Sequence, residues 1–336
     1  MSEYEEHTRW ITVASALSPR WRPDSRAGLD AAATEQRNLA ERSGARLILS
    51  GDNEYPAALG AIPSPPPFLL LRGELREEDA FALAIVGARR ATSYGVEIAE
   101  RLASELAARG VTIVSGFARG IDTAAHRGAI TAGGRTIAVL GAGADVVYPL
   151  ENRKLVGRVL ERGALVSQFP MGAPALPGHF PVRNRTIAGL TLGTIVVEAG
   201  ERSGASITAG HAGELGREVF AVPGPITSEM SRGANRLIQD GAKLVQGWED
   251  VVAELPETWR RCLKERAVAS SATALEADEG QLLALVGSEP VHIDRLIGQS
   301  GVSSGRTAAL LLALELKGRV RQLPGQRYTK LELTSG

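Results

Sequence analysis

Residues 82–120 read ALAIVGARRATSYGVEIAERLASELAARGVTIVSGFARG. Ala82–Val86 and Val111–Val114 are apolar throughout, as strands buried on both faces must be, and Gly95–Arg109 between them carries apolar side chains at helical spacing. Strand, helix and strand in this order form a parallel crossover unit. The pattern continues downstream. Further strands are expected at Thr136–Leu140, Ala164–Val166, Thr194–Val197, Val219–Val222 and Lys243–Val245. Helices are expected at Thr123–Ala132, Asn152–Arg162, Asn184–Leu190, Ser206–Leu215 and Asn235–Gln239. The fold class is therefore α/β, with a doubly wound, mostly parallel sheet covered by helices on both sides.

The flanks have a different texture. Residues 1–54 are polar and helix-like, broken at Ser18-Pro19 and Arg22-Pro23, and are expected to form a small helical region. The main domain spans 55–255 and opens with the proline-rich connector YPAALGAIPSPPPFLLLRG (55–73), which ends in a short apolar strand. Residues 256–275 lack a clear apolar face and are expected to be a linker. Residues 276–336 carry helices around Glu279–Val286, Ile293–Gln299 and Ser304–Lys317. Arg319–Leu323, a Pro324-Gly325 turn and Arg327–Leu331 then form a hairpin, which completes a winged-helix pattern.

Composition removes several classes of function. The chain of 336 residues is 44% hydrophobic and 23% charged, which excludes wholesale disorder. Apolar runs such as Ala308–Leu314 are too short to cross a bilayer. The opening MSEYEE is acidic and has no basic n-region of a secretory signal, so a cytoplasmic location is expected. The single cysteine, Cys262, allows no disulfide framework and no cysteine-based metal site, and none of the five histidines lies in an HExxH pattern. No metal and no cofactor are expected.

The formal net charge is zero, yet residues 81–248 carry 18 basic against 13 acidic side chains, whereas residues 1–80 carry 9 against 13. Of the 38 basic residues, 33 are arginine, which suits bidentate phosphate recognition but also fits a GC-rich coding bias, so placement must decide. Four segments at the expected C-terminal ends of strands, or opening a helix, carry arginine: VGARRATSYG (86–95), VSGFARGID (114–122), HFPVRNR (179–185) and EAGERSGAS (198–206), and all but HFPVRNR combine it with Gly or Ser. Such turns let backbone N–H groups approach an anion at a helix N-terminus. Each also has a plainer reading. The glycines supply positive φ, Asp122 caps a helix rather than pairing with His126, Arg183 and Arg185 make surface ion pairs, and Phe180 is core rather than a platform for a base. Glu198 is either catalytic or a positioner of neighbouring arginines. No Gly-Lys dipeptide exists for a phosphate-binding P-loop, no GxSxG elbow follows an expected strand, and Gly141-Ala142-Gly143 lacks the third glycine of a dinucleotide fingerprint. In the terminal unit, residues 276–294 hold five acidic residues and no Lys or Arg. Residues 306–330 hold six basic residues against Glu315 alone, a polarity suited either to a phosphodiester backbone or to a solvated, self-balancing face.

Taken together, these stretches resemble the DNA-processing protein A (DprA/Smf) family over about residues 55–248. The likeness is carried by YPAALGAIPSPPPFLLLRG, AIVGARRATSYG, VSGFARGIDTAAHRGAI, TIAVLGAGADVVYPLENRKL, FPVRNRTIAGL, VVEAGERSGASITAGHA and VFAVPGPI followed by GANRLIQDGAKLV. The winged-helix tail also resembles one found in many members, while residues 1–54 do not match the helical SAM-like domain usual there. The resemblance implies a Rossmann-like domain and a homodimer. It also implies a single-stranded-DNA-binding recombination mediator that protects incoming DNA during natural transformation and loads RecA, without catalysis. By position, Gly87, Arg89, Ser115, Gly116, Arg119, Gly120, Arg183, Asn184, Arg185, Arg202, Ser203 and Gly204 fall on its DNA-facing motifs. Phe180 is the implied stacking neighbour, Lys154 a phosphate contact, and Leu237 and Ile238 the dimer or RecA contacts. Two other readings stay open. Phosphoribohydrolases of related fold supply a carboxylate from a PGGxGTxxE loop, which Ser203-Gly204-Ala205-Ser206 and the following residues lack. A regulatory protein would instead bind duplex DNA through the winged helix.

Overall fold

The computed structural model describes residues 3–16, 26–201, 203–263, 277–287, 289–316, 320–323 and 325–330. They belong to two compact units that divide between Arg266 and Ala267. The first begins with α1 (Glu3–Ser15), α2 (Arg26–Ser43), β1 (Ala45–Leu49), α3 (Ala57–Gly60) and β2 (Phe68–Gly73). Alternating strands and helices follow: β3 (Ala82–Val86), α4 (Ser93–Ala107), β4 (Thr112–Ser115), α5 (Ile121–Thr131), β5 (Thr136–Leu140), α6 (Arg153–Arg162) and β6 (Gly163–Ser167). The second half runs α7 (His179–Leu190), β7 (Gly193–Val196), α8 (Gly204–Glu214), β8 (Glu218–Ala221), α9 (Arg232–Gln239), β9 (Lys243–Leu244), α10 (Trp248–Glu254) and α11 (Glu257–Arg260).

These strands form one nine-stranded sheet in the order β1-β2-β6-β5-β4-β3-β7-β8-β9. From β6 to β9 every neighbouring pair is parallel, while β2 pairs antiparallel with both β6 and β1. Successive strands step one way from β3 to β6, then the chain returns to lay β7 on the other side of β3, where Ala84 pairs with both Val114 and Thr194. That reversal opens a crevice beyond the C-terminal ends of β3 and β7, the place where open α/β sheets take ligands.

Alternation along each strand supplies both faces. Leu83, Ile85, Ile113 and Ile195 pack under Leu102 and Leu106 of α4 and Ala125 and Ala129 of α5. Val86, Val114, Val139 and Val196 pack under Ile187 of α7, Ala205 and Ala209 of α8 and Ala234 of α9. Burying each such Leu, Val or Ile contributes about 1.5–3 kcal/mol.

The structure departs from the sequence reading at three places. Residues 45–49, expected within a small helical region, are an edge strand of the main sheet, and Trp10, Val13, Ala33 and Ala40 of α1 and α2 pack with Phe68 and Leu70 of β2. The side chain of Gln36 ties α2 down by pairing with both the N–H and the carbonyl of Met171. At the other end, the expected linker begins later than residue 256, because Trp259 of α11 stacks on Phe81 at 5.5 Å and Leu263 packs on the same core. Residues 264–276 lie outside the described residues. Finally, α7 starts at His179 rather than Asn184. Pro181 falls in its first turn, where the missing N–H has no helical partner to lose.

The second unit contains α12 (Ala277–Leu285), β10 (Val291–His292), α13 (Ile293–Ser300), α14 (Ser304–Leu316), β11 (Val320–Leu323) and β12 (Arg327–Lys330). The strands pair in the order β10-β12-β11, and Leu282, Leu296, Leu311, Leu314 and Tyr328 form the core. This is the winged-helix arrangement. Arg306, counted on the basic side, pairs with Asp278 of the acidic side at 3.1 Å. Lys317 and Arg319 lie outside the described residues.

Candidate nucleic-acid interface

The loop after β4 is shaped by two residues with positive φ. Phe117, at φ 60°, buries its ring against His126, and Gly120, at φ 73°, turns the chain into α5. A β-carbon at Gly120 would fall on the carbonyl oxygen of Ala88, so a side chain is excluded by space as well as by backbone conformation. This geometry lifts Ala118 and Arg119 onto the rim. Asp122 accepts a hydrogen bond from the Ala118 N–H at 3.2 Å, and Asn152 donates to the Phe117 carbonyl at 2.9 Å. Ser115 lies below the rim, where its buried hydroxyl donates to the Ile85 carbonyl at 2.6 Å and joins β4 to β3.

Two adjoining hollows occupy this edge. The first, of about 450 Å³, is walled by Phe180, Tyr148, Leu140 and Pro149, with Arg89 and Arg119 at its sides. The Arg89 guanidinium lies over the Phe180 ring at 4.6 Å, and Tyr148 meets that ring at 5.9 Å. Gly141 makes this possible, since a β-carbon there would come within 2.9 Å of the ring. The second hollow, of about 700 Å³, lies in the crevice between β3 and β7 and is lined by Gly87, Arg89, Arg183, Asn184, Ser203 and Gly204 among others. Ser203 caps α8 by accepting from the Ala205 N–H at 3.2 Å, and Asn184 donates to the Gly204 carbonyl at 3.1 Å.

The arginines expected to face a ligand fall into different environments. Arg89 is exposed, with no ion pair among the described residues. Arg119 is exposed but pairs with Glu151. Arg183, expected as a DNA-facing contact, is only 3% exposed. It donates to the Gly116 and Val139 carbonyls and to Asn184 Oδ1, so it brings charge beneath the crevice and joins the loop after β4 to β5. Arg185 is about 200° away around the helix. It donates to the Pro63 carbonyl at 2.8 Å and lies 3.9 Å from Glu214. Lys154 is exposed on the first turn of α6 and lines neither hollow, and Arg202 lies outside the described residues. Leu237 and Ile238, expected at a dimer or RecA contact, are half-buried on α9 against the core. Tyr148 and Gly141 are the residues that sequence reasoning missed. Their signal lay in the segment GAGADVVYP, whose turn residues follow a strand directly.

Below the crevice is a buried charged group of residues. Desolvation lowers the Arg183 guanidinium to about 10, with Asp122 acting the other way and Arg89 adding to the fall, so it stays a cation at neutral pH. Burial raises the Asp122 carboxyl, opposed by Arg183 and the Ala118 N–H. Burial, reinforced by Arg183, pushes the His126 imidazole down to about 3. Thr136 Oγ1 donates to the Ile113 carbonyl, so His126 Nδ1–H donates to Thr136 Oγ1 at 2.7 Å, and Nε2 is left bare. His126 therefore folds neutral. From pH 6.5 down towards 3 the unfolded chain binds a proton that the native chain does not, so stability is lost as pH falls. Between pH 7 and 5.5 the loss is about 1 kcal/mol. Asp122 has the opposite sign above its ordinary value, because its native form protonates first. Thermal melts of wild type and His126→Phe across this range isolate the histidine. The wild type should lose stability relative to the variant as pH falls, and parallel curves would refute the assignment.

Residues 46–256 match the family model described as DNA recombination-mediator protein A, and residues 266–326 match a DprA winged helix domain. The Escherichia coli protein Smf is 41% identical over 291 residues, which cover 85% of this chain and 77% of that protein. The chain belongs to the DprA/Smf family. The crystal structure of DprA from Streptococcus pneumoniae superposes with a TM-score of 0.62 at 34% identity, covering 76% of this chain and 97% of that one. DprA from Helicobacter pylori, described in its single-stranded DNA binding mode, superposes with a TM-score of 0.58 at 27% identity, covering 66% and 97%. Membership accounts for the order of the motifs. In this DprA/Smf chain Glu198 is not free for chemistry. One carboxylate oxygen accepts from the Thr92 N–H at 2.9 Å and the other from the Thr92 hydroxyl at 2.5 Å, while its carbonyl accepts from the Ala88 N–H at 2.7 Å. Among the described residues no helix is long and apolar enough to cross a membrane, and no three His, Cys, Asp or Glu side chains gather as a metal site would require.

Proposed function

We propose that the chain binds single-stranded DNA along the rim formed by the loops after β3, β4, β5 and β7, without altering it chemically, and acts as a recombination mediator that delivers the strand to RecA. One observation carries the reading: an arginine with no ion pair among the described residues, Arg89, stacks on a half-buried aromatic, Phe180, and lines both hollows. An unpaired strand offers phosphates to the arginines and base faces to the ring, whereas duplex bases are stacked away. Asp122, which lines the crevice, and Glu198, on the loop after β7, are engaged by Ala118 and Thr92, which supports binding over hydrolysis. Pairing of two chains through α9, near Leu237 and Ile238, would join two rims and raise avidity. Protection of incoming DNA in transformation belongs to the same reading and rests on family membership.

The test is fluorescence anisotropy with matched single- and double-stranded oligonucleotides, with and without RecA. Single strands should bind more tightly, with log K falling by about 0.7 per neutralised phosphate per decade of salt. Arg89→Ala should weaken binding to all sequences by roughly three- to tenfold and flatten that slope by about one phosphate. The fold should be unaffected, since exposed arginines contribute little to stability. Arg185→Ala should affect binding less, because its guanidinium already serves Pro63 and Glu214. Equal affinity for duplex and single strand, or release of free base from nucleoside monophosphates, would overturn the reading.

A further inference from the structure

The basic rim does not end at the aromatic hollow. A third hollow, of about 520 Å³, lies over the outer side of α5 and is lined by Val96, Arg119, Gly120, Thr123, Arg127 and Asn152. Arg119 lines this hollow and the aromatic one, just as Arg89 lines the aromatic hollow and the crevice, so the three are neighbours with an arginine at each junction. Thr123 and Arg127 lie one turn apart on the same side of α5. The Thr123 hydroxyl is committed to the Ala118 carbonyl and to Asn152, which makes it floor rather than ligand. Arg127 is exposed and has no ion pair among the described residues. The acidic groups nearby leave it free: Glu151 is paired with Arg119, and Glu97 and Glu100 of the facing α4 make no ion pair with it. Arg153 and Lys154, beside Asn152 on the first turn of α6, are exposed and likewise unpaired among the described residues.

We infer that this hollow is a further phosphate seat for the same single strand, with Arg127 holding a phosphodiester that has passed Arg119 on leaving the aromatic hollow. This rests on the single-strand reading above. The seat offers a cation and no aromatic wall, so it fits the backbone of any sequence and not a base. It extends the footprint of one chain away from the crevice between β3 and β7, over α5.

The experiment measures affinity of the full-length protein for oligothymidylates of increasing length, at two salt concentrations, for wild type, Arg127→Ala, Arg127→Lys and Arg89→Ala. Wild-type affinity should keep rising with length after the aromatic hollow is filled. For Arg127→Ala the rise should stop earlier, leaving the longest oligonucleotides roughly three- to tenfold weaker. The salt slope should be shallower by about 0.7. Arg127→Lys keeps the charge and should retain most of the gain, which separates lost charge from lost fold. If Arg127→Ala superimposes on wild type at every length while Arg89→Ala is weak, the added seat is refuted and the single-strand reading stands. If Arg127→Ala is equally weak at every length, or Arg127→Lys fails as badly, the outlying seat is also refuted. If Arg89→Ala too superimposes on wild type, the single-strand reading itself falls.

Discussion

Arg183→Met should lower the melting temperature by roughly 6–15 °C, the equivalent of about 3–5 kcal/mol in a unit of this size. The side chain is buried and donates to two backbone carbonyls on different elements, that of Gly116 in the loop after β4 and that of Val139 in β5, while its charge opposes the desolvation of Asp122. Removing it strips both carbonyls of a donor and leaves a buried carboxyl with its main cationic partner gone. The loss is not the value of an ion pair but the cost of leaving one half behind. Arg183→Met combined with Asp122→Asn should therefore recover part of the stability, since the second change removes the stranded charge. Calorimetric melts of wild type, the two single variants and the double variant form the cycle. A single variant as stable as wild type, or strictly additive effects, would show that the guanidinium is not the strut described here.

Phe180→Ala should reduce affinity for single strands by roughly ten- to a hundredfold, the usual range for loss of one base–aromatic stack. Two contributions disappear together. The ring that faces a base is gone, and Arg89 loses the surface 4.6 Å below its guanidinium, so its orientation over the hollow relaxes. The loss should be similar for thymidine, adenosine and cytidine oligonucleotides, because every base has a stacking face. Phe180→Trp should restore most of it. Anisotropy titrations at fixed salt decide the matter. Unchanged affinity, or a loss confined to one base, would contradict a stacking role for this ring.

The positions of the parallel strands along the chain were readable from runs such as Ala82–Val86 and Thr136–Leu140, because strands covered on both faces leave no polar positions to blur the pattern. β1 was hidden for the opposite reason. Ala45–Leu49 is a half-buried edge strand, and a short alternating run beside a polar helix carries little signal. Gly87, Gly116 and Gly120 fell on the rim because strand-to-helix turns are compact, but burial was invisible. Nothing in FPVRNR distinguishes an arginine pointing inwards from one two residues later that reaches Pro63, until the helix is known to begin at His179. Tyr148 escaped notice because its partner in the wall, Phe180, is remote in sequence.

The Glu198 carboxylate grips both the amide and the hydroxyl of Thr92, and Thr92 in turn caps α4 by accepting from the Gly95 N–H. The two lips of the crevice are thus sewn together, and neither can swing outwards alone. For a polymer seated there, release cannot rely on the two lips parting. If the crevice seats a single strand as proposed, a fixed slot of this kind would let it go progressively rather than all at once.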